Sequence, residues 1–113
     1  MTFPYDRVEH FKELCKVYQV KYKIDEIMWN NIVDMFQTIN DTYYLYFQTI
    51  NVEHSFFPNF EYIFCKICEI LKVNLDNKSK IFKSKIKLEN YDIIWKWICD
   101  YNNWHFSASH FLQ

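Results

Sequence analysis

The residues of this 113-residue chain best suited to chemistry are four cysteines and four histidines. Cys65-x-x-Cys68 is the tightest pair. Zinc takes four ligands, commonly two paired Cys/His clusters, and Cys99, His105 and His110 could complete such a set. Both paired cysteines, however, fall inside an apolar stripe at helical spacing, where a free cysteine behaves as a small hydrophobe. A second CxxC is missing, and no βαβ pattern surrounds the pair as a thioredoxin-like redox site would require. The expectation is therefore four reduced, metal-free core thiols and no cofactor. His10, His54, His105 and His110 are scattered, and the carboxylates are spread along polar helix faces. No catalytic constellation is legible, so the chain is expected not to be an enzyme. Asp92 and Lys96, four residues apart, read as a helical surface pair.

One charge block stands apart. Lys78, Lys80, Lys83, Lys85 and Lys87 place five cations and no acid within ten residues. Such a run can meet DNA phosphates or an acidic protein surface, or it can be a solvated connector. Trp97 is the second feature. It lies two positions from Trp95, about 200° around a helix axis, with Ile93 and Tyr101 on its own side at i−4 and i+4. The last helix thus carries two apolar faces. Either both are buried, or Ile93, Trp97 and Tyr101 form a patch that meets a partner.

The elements that must position these residues follow from apolar spacing. Val8, Phe11, Leu14, Cys15 and Tyr18 predict a first helix over about 4–18, with Thr2 capping it ahead of Pro4. Residues 19–24 alternate weakly, as a short strand or linker would. Asp25 caps a second stripe of Met28, Ile32, Met35, Phe36 and Ile39, with Asn40-Asp41 a possible break before Tyr44, Leu45 and Phe47. One long or one broken helix over 25–50 is expected, then a loop over 51–58. Asn59 caps a third helix carrying Phe60, Ile63, Phe64, Ile67, Cys68, Ile70 and Leu71, ended by Asn74 or Asn77. A last helix over about 89–102 puts Ile94, Trp95, Ile98 and Cys99 on one face. Trp104, His105 and Phe106 predict an extended tail that packs back. The fold class is all-α: a small bundle of four or five helices with a short extended C-terminal tail. It forms one domain over 1–113, with Trp95, Ile98, Trp104 and Phe106 as structural core.

Composition narrows the function further. Half the residues are hydrophobic, 21% are aromatic, and the formal net charge is −1. A strong global drive toward nucleic acid or membrane is excluded, though a local patch is not. Glycine is absent, which removes Walker A loops, dinucleotide fingerprints and glycine-hinged nucleophile elbows. Ten Asn offer the next best residue for left-handed turns. No apolar run approaches the roughly 18 residues of a membrane span. The first residues do not read as a signal peptide, so the expected setting is reducing and not secreted.

The C-terminal third carries a longer pattern: Lys83-Ser84-x-x-Lys87-Leu88-x-x-x-Asp92-x-Ile94-Trp95-x-x-Ile98-Cys99-x-x-x-x-Trp104-x-Phe106-x-x-Ser109. Ahead of it stands Phe60-x-Tyr62-Ile63-Phe64-x-Lys66-Ile67-x-x-Ile70-Leu71. Over 60–109 the chain resembles the C-terminal domain of the poxvirus late transcription factor 3-like family of large DNA viruses, and a looser likeness begins near 25. The resemblance implies a non-enzymatic role in viral late-gene transcription. Its implied partners are viral RNA polymerase or other viral transcription proteins, and its implied location is the host cytoplasm (the viral factory) or the virion. The family's cysteine-rich region has no counterpart here, so the chain looks like the C-terminal domain alone or a reduced relative. The family usually places Gly before the Trp matching Trp104; here it is Asn103, which suits a left-handed position. A structural or adaptor module, such as a virion component, is the competing expectation.

Overall fold

A computed structural model describes residues 6–50, 57–75 and 85–108, with the backbone alone at 49, 50, 85 and 86. Four helices account for most of these residues: α1 (Arg7–Lys21), α2 (Glu26–Ile50), α3 (Phe60–Leu71) and α4 (Lys85–Asn102). No strand occurs among the described residues. The fold is all-α.

Helix starts follow side-chain chemistry. Asp6 accepts from the backbone N–H of Val8 and Glu9 and caps α1; Thr2 and Pro4 lie outside the described residues. Asp25 accepts from Met28 N at 2.8 Å, and Asn59 accepts from Glu61 N at 2.7 Å. Each satisfies a donor that the first turn of a helix leaves without a partner.

Helix ends follow a shared geometry. Lys23, Lys72 and Asn103 all sit in the left-handed region, at φ 53°, 60° and 60°. In each case the next residue donates its N–H five residues back: Ile24 to Gln19 O, Val73 to Cys68 O, and Trp104 to Cys99 O. This is the Schellman arrangement, which usually recruits glycine. With none in the sequence, two of the three positions are filled by Lys rather than Asn. The helical run continues to Lys21, so no strand forms over 19–24 and the linker there is shorter than expected, spanning 22–25. Likewise α3 ends at Leu71, before Asn74; Asn77 and the stretch 51–56 lie outside the described residues. α4 begins four residues earlier than expected, within the lysine run.

α2 is the central element and packs against α1, α3 and α4, while α1 also packs on α3. Asn40 and Asp41 do not break it, because both side chains point outward to partners. Asn40 accepts from Arg7 at 2.6 Å, and Asp41 accepts from Gln37 at 3.3 Å. The buried row of α2 runs Ile32, Phe36, Ile39, Tyr43 and Tyr46. The expected continuation through Tyr44, Leu45 and Phe47 is corrected: these three are exposed, since 3.6-residue spacing from Ile39 reaches Tyr43 and Tyr46 instead. Leu14 on α1 is exposed for a similar reason. Phe11 stacks on Phe36 with ring centroids 3.9 Å apart, and Phe57 and Phe60 meet Phe36 edge-on. Ile63, Ile67, Trp95, Ile98 and Cys99 complete the centre of the core.

The tail over 104–108 packs back as expected. Trp104 lies 6.2 Å from Trp95, ring to ring. It and Phe106 are half-buried against the core rather than within it, whereas Trp95 and Ile98 are fully buried.

Candidate interaction surfaces

The thiols occupy interior positions. Cys15, Cys68 and Cys99 are buried, and Cys65 is half-buried. Burial is the main cause that pushes the first three thiols up to about 12, helped at Cys15 by Glu61 and Cys65, at Cys68 by its neighbouring thiols, and at Cys99 by Asp100. The thiolate is the form that attacks electrophiles and binds metals; at neutral pH these three are thiols. Among the described residues, no three or more His, Cys, Asp or Glu side chains come together as a metal site. His105 is exposed, His10 meets Phe60 edge-on at 5.5 Å, and His54 and His110 lie outside the described residues.

The lysine run is described only at its end. Lys78, Lys80 and Lys83 lie outside the described residues, and Lys85 opens α4 with its backbone alone described. Lys87 sits exposed in the first turn of α4.

α4 separates the remaining expected site residues onto two sides. Leu88, Ile94, Trp95, Ile98 and Cys99 face the core. Ile93 and Tyr101 are exposed by 63% and 57%. Trp97 is half-buried between them: it stacks on Tyr101 at 5.5 Å and 10°, and it meets Tyr46 of α2 edge-on at 5.3 Å. Asn102 donates to the buried Thr42 hydroxyl at 3.1 Å. Four residues back along α2 thus correspond to five forward along α4, so the two helices run antiparallel. The expected Asp92–Lys96 pair is not formed. Asp92 turns inward and accepts from the Tyr62 hydroxyl, while Lys96 pairs with Asp100 at 3.0 Å.

Two cations play parts that their spacing does not advertise. Lys66 is only 3% exposed, yet its ammonium donates to Ser107 O at 2.7 Å and lies 3.5 Å from the Glu69 carboxylate. It ties the tail to α3. The available signal was a Lys set within a stripe of Ile63, Ile67 and Ile70. Arg7, the single arginine in the sequence, lies 4.4 Å over the Phe57 ring while it holds Asn40. It borders an open groove of about 420 Å³ that includes His10, Leu14, Tyr18, Phe60 and Glu61.

Over 54 residues, 47% of its length, the chain is 41% identical to a protein of Acanthamoeba polyphaga mimivirus named "Putative transcription factor". The chain spans only 12% of that relative's length. No family model and no solved structure matches the chain. The chain is thus similar in part to a protein of a large DNA virus that is named for transcription.

Proposed function

We propose that the chain is a late-gene transcription module of a large DNA virus. It is non-enzymatic and works by binding viral RNA polymerase or other viral transcription proteins, with the lysine run able to add contacts to DNA. The observation that carries this reading is the 41% identity over 54 residues to a mimivirus protein named for transcription. Two features agree with a binding role. The thiols that could have been nucleophiles are held protonated by burial, and large apolar side chains are left on the outer side of α4.

The test is affinity capture of the tagged chain from infected cells late in infection. Recovery of polymerase subunits and other transcription proteins is the expected result. Recovery of capsid or core proteins without them would replace this reading with a virion component. If the lysine run meets phosphate, binding to duplex DNA should weaken steeply with salt and be nearly indifferent to sequence.

A further inference from the structure

α1 and the segment leading into α3 enclose an open groove with a fixed cation at one end. Arg7, His10, Leu14 and Tyr18 line one wall. They fall at i, i+3, i+7 and i+11, a single ridge of α1 about 16 Å long. Phe57 and Phe60 stand on the other wall, and Phe60 meets the His10 ring edge-on at 5.5 Å. Leu14, in the middle of the ridge, is 51% exposed. The volume of about 420 Å³ is that of an ordinary ligand cleft.

The cation is Arg7. Its guanidinium is half-buried and lies 4.4 Å over the Phe57 ring, with Tyr43 and Tyr44 at 5.6 and 5.7 Å. A guanidinium carries five N–H donors; here one hydrogen bond, 2.6 Å long, goes to the neutral amide of Asn40. No carboxylate among the described residues pairs with it. Asp6 is taken up by the Val8 and Glu9 N–H groups, and Asp41 of α2 by Gln37. Glu9 and Glu13 leave α1 about 200° and 240° around from Arg7, and Glu9 pairs with Lys12. Lys21 shares the side of the ridge but lies almost a turn beyond Tyr18, against the Tyr22 ring. The carboxylate that does line the groove, Glu61, lies by the Tyr18 hydroxyl at the end away from Arg7. The Arg7 end is thus a positive charge short of its counter-charge, held flat on a ring, which is the setting that pairs with a carboxylate.

We propose that this groove binds a short acidic–apolar segment of a partner protein, with one Asp or Glu carboxylate on Arg7 and neighbouring apolar side chains over Leu14 and Phe60. The proposal deepens the binding-module reading, on which it rests, by naming a surface and the partner's chemistry. Asn40 and Phe57 already hold the guanidinium in place, so little freedom is lost on binding. Covering Leu14 removes apolar surface from water. A nucleic-acid strand fits less well. Its phosphates repeat, whereas the groove follows one fixed cation with apolar walls and then with Glu61. A basic segment would be repelled at Arg7.

The test pans a display library of random octapeptides against the whole chain. Enriched peptides should share an Asp or Glu followed or preceded within a few residues by Leu or an aromatic residue. A synthetic copy of the best one should bind Arg7→Gln at least tenfold more weakly than the unaltered chain. Replacing its acidic residue by the matching amide should cost as much, and the amide peptide should bind both proteins alike. Leu14→Asp, at an exposed position that the core does not need, sets a carboxylate in mid-groove and should abolish binding in folded protein. It decides the matter by itself if Arg7→Gln fails to fold. No enrichment, enriched peptides without an acid, or binding that survives either substitution in folded protein overturns the proposal. So does a single-stranded oligonucleotide that binds more tightly than the peptide and depends on Arg7, or a dimer that Leu14→Asp dissolves. Failure to capture polymerase with peptide binding intact would count against the transcription role and not against this groove.

Discussion

Trp95 and Trp97 stand two residues apart on one helix and live in different environments. Trp95 is 1% exposed, packed within the core and covered by Trp104 of the tail. Trp97 lies at the rim, with one flank against Tyr46 and another against the exposed Tyr101. The same residue type serves as filler on the inner face and as a partly covered edge of the core on the outer one. Helical spacing tells that the two faces differ, but not what covers each. That is decided by α2, which reaches one side of Trp97 and stops.

The sharpest way to break this contrast is to truncate each ring in turn. Trp95→Ala should cost roughly 3–5 kcal/mol, as buried aromatic truncations do, a large share of the stability of a domain this size. Trp97→Ala should cost less, roughly 1–2 kcal/mol, because its ring is only partly buried against the core. Urea unfolding of both variants measures the difference. Equal costs would show that the outer face is core after all.

Alkaline pH probes the inner face by a second route. Cys15, Cys68 and Cys99 titrate near 9 when unfolded and near 12 when folded, because burial disfavours the thiolate. Their folded pKa is raised, so the unfolded chain loses protons first as pH climbs. Stability should be level below pH 8 and fall progressively between 9 and 12. Cys99→Ala should shallow that fall. A thermal midpoint that stays constant to pH 11 would place these thiols in water.

The tail gives a smaller effect. Lys66→Met keeps the apolar stem and removes the donor to Ser107 O. The loss should be about 1.5–3 kcal/mol, the range for a hydrogen bond made by a charged group. It should also free Trp104 and Phe106, read as faster chymotrypsin cleavage at the tail than in α2. Unchanged cleavage would mean that ring packing alone holds the tail.

The inner architecture was legible because it rests on periodicity and caps. α3 is fixed by Asn59 and an apolar stripe, and α2 by Asp25 and the row from Ile32 to Ile39. What was not legible depends on long-range partners. Asn40 and Asp41 look like helix breakers until Arg7 and Gln37 take up their side chains. Asp92 looks like a partner for Lys96 until Tyr62 reaches it from α3. Lys66 looks like a surface residue until the tail passes over it. The candidate site was read in part: Ile93, Trp97 and Tyr101 share a face by spacing alone, but Tyr46 meets Trp97 only through the antiparallel pairing of α2 with α4. Lys78, Lys80 and Lys83 lie outside the described residues, so the lysine run remains a matter of sequence.

The smallest expected effect concerns helix ends, and it separates α4 from α3. Both helices close through a left-handed residue, Asn103 after α4 and Lys72 after α3. A side chain with a Cβ in that region costs roughly 1–2 kcal/mol, and Asn escapes part of the cost through local hydrogen bonding. Glycine removes the strain but adds freedom to the unfolded chain, which takes back about 0.4–1 kcal/mol. Lys72→Gly should therefore stabilise by about 0.5 kcal/mol, and Asn103→Gly should be near neutral. The comparison bears on the inner face, because Asn103 is the turn that swings Trp104 onto Trp95. If Asn103→Gly destabilises measurably, its side chain helps to hold Trp104 in place, and the inner face of α4 depends on the turn as well as on the packing of the two rings. If Lys72→Gly destabilises as well, the Lys side chains have contacts that outweigh the backbone strain, and the lack of glycine in this chain carries no penalty at its helix ends.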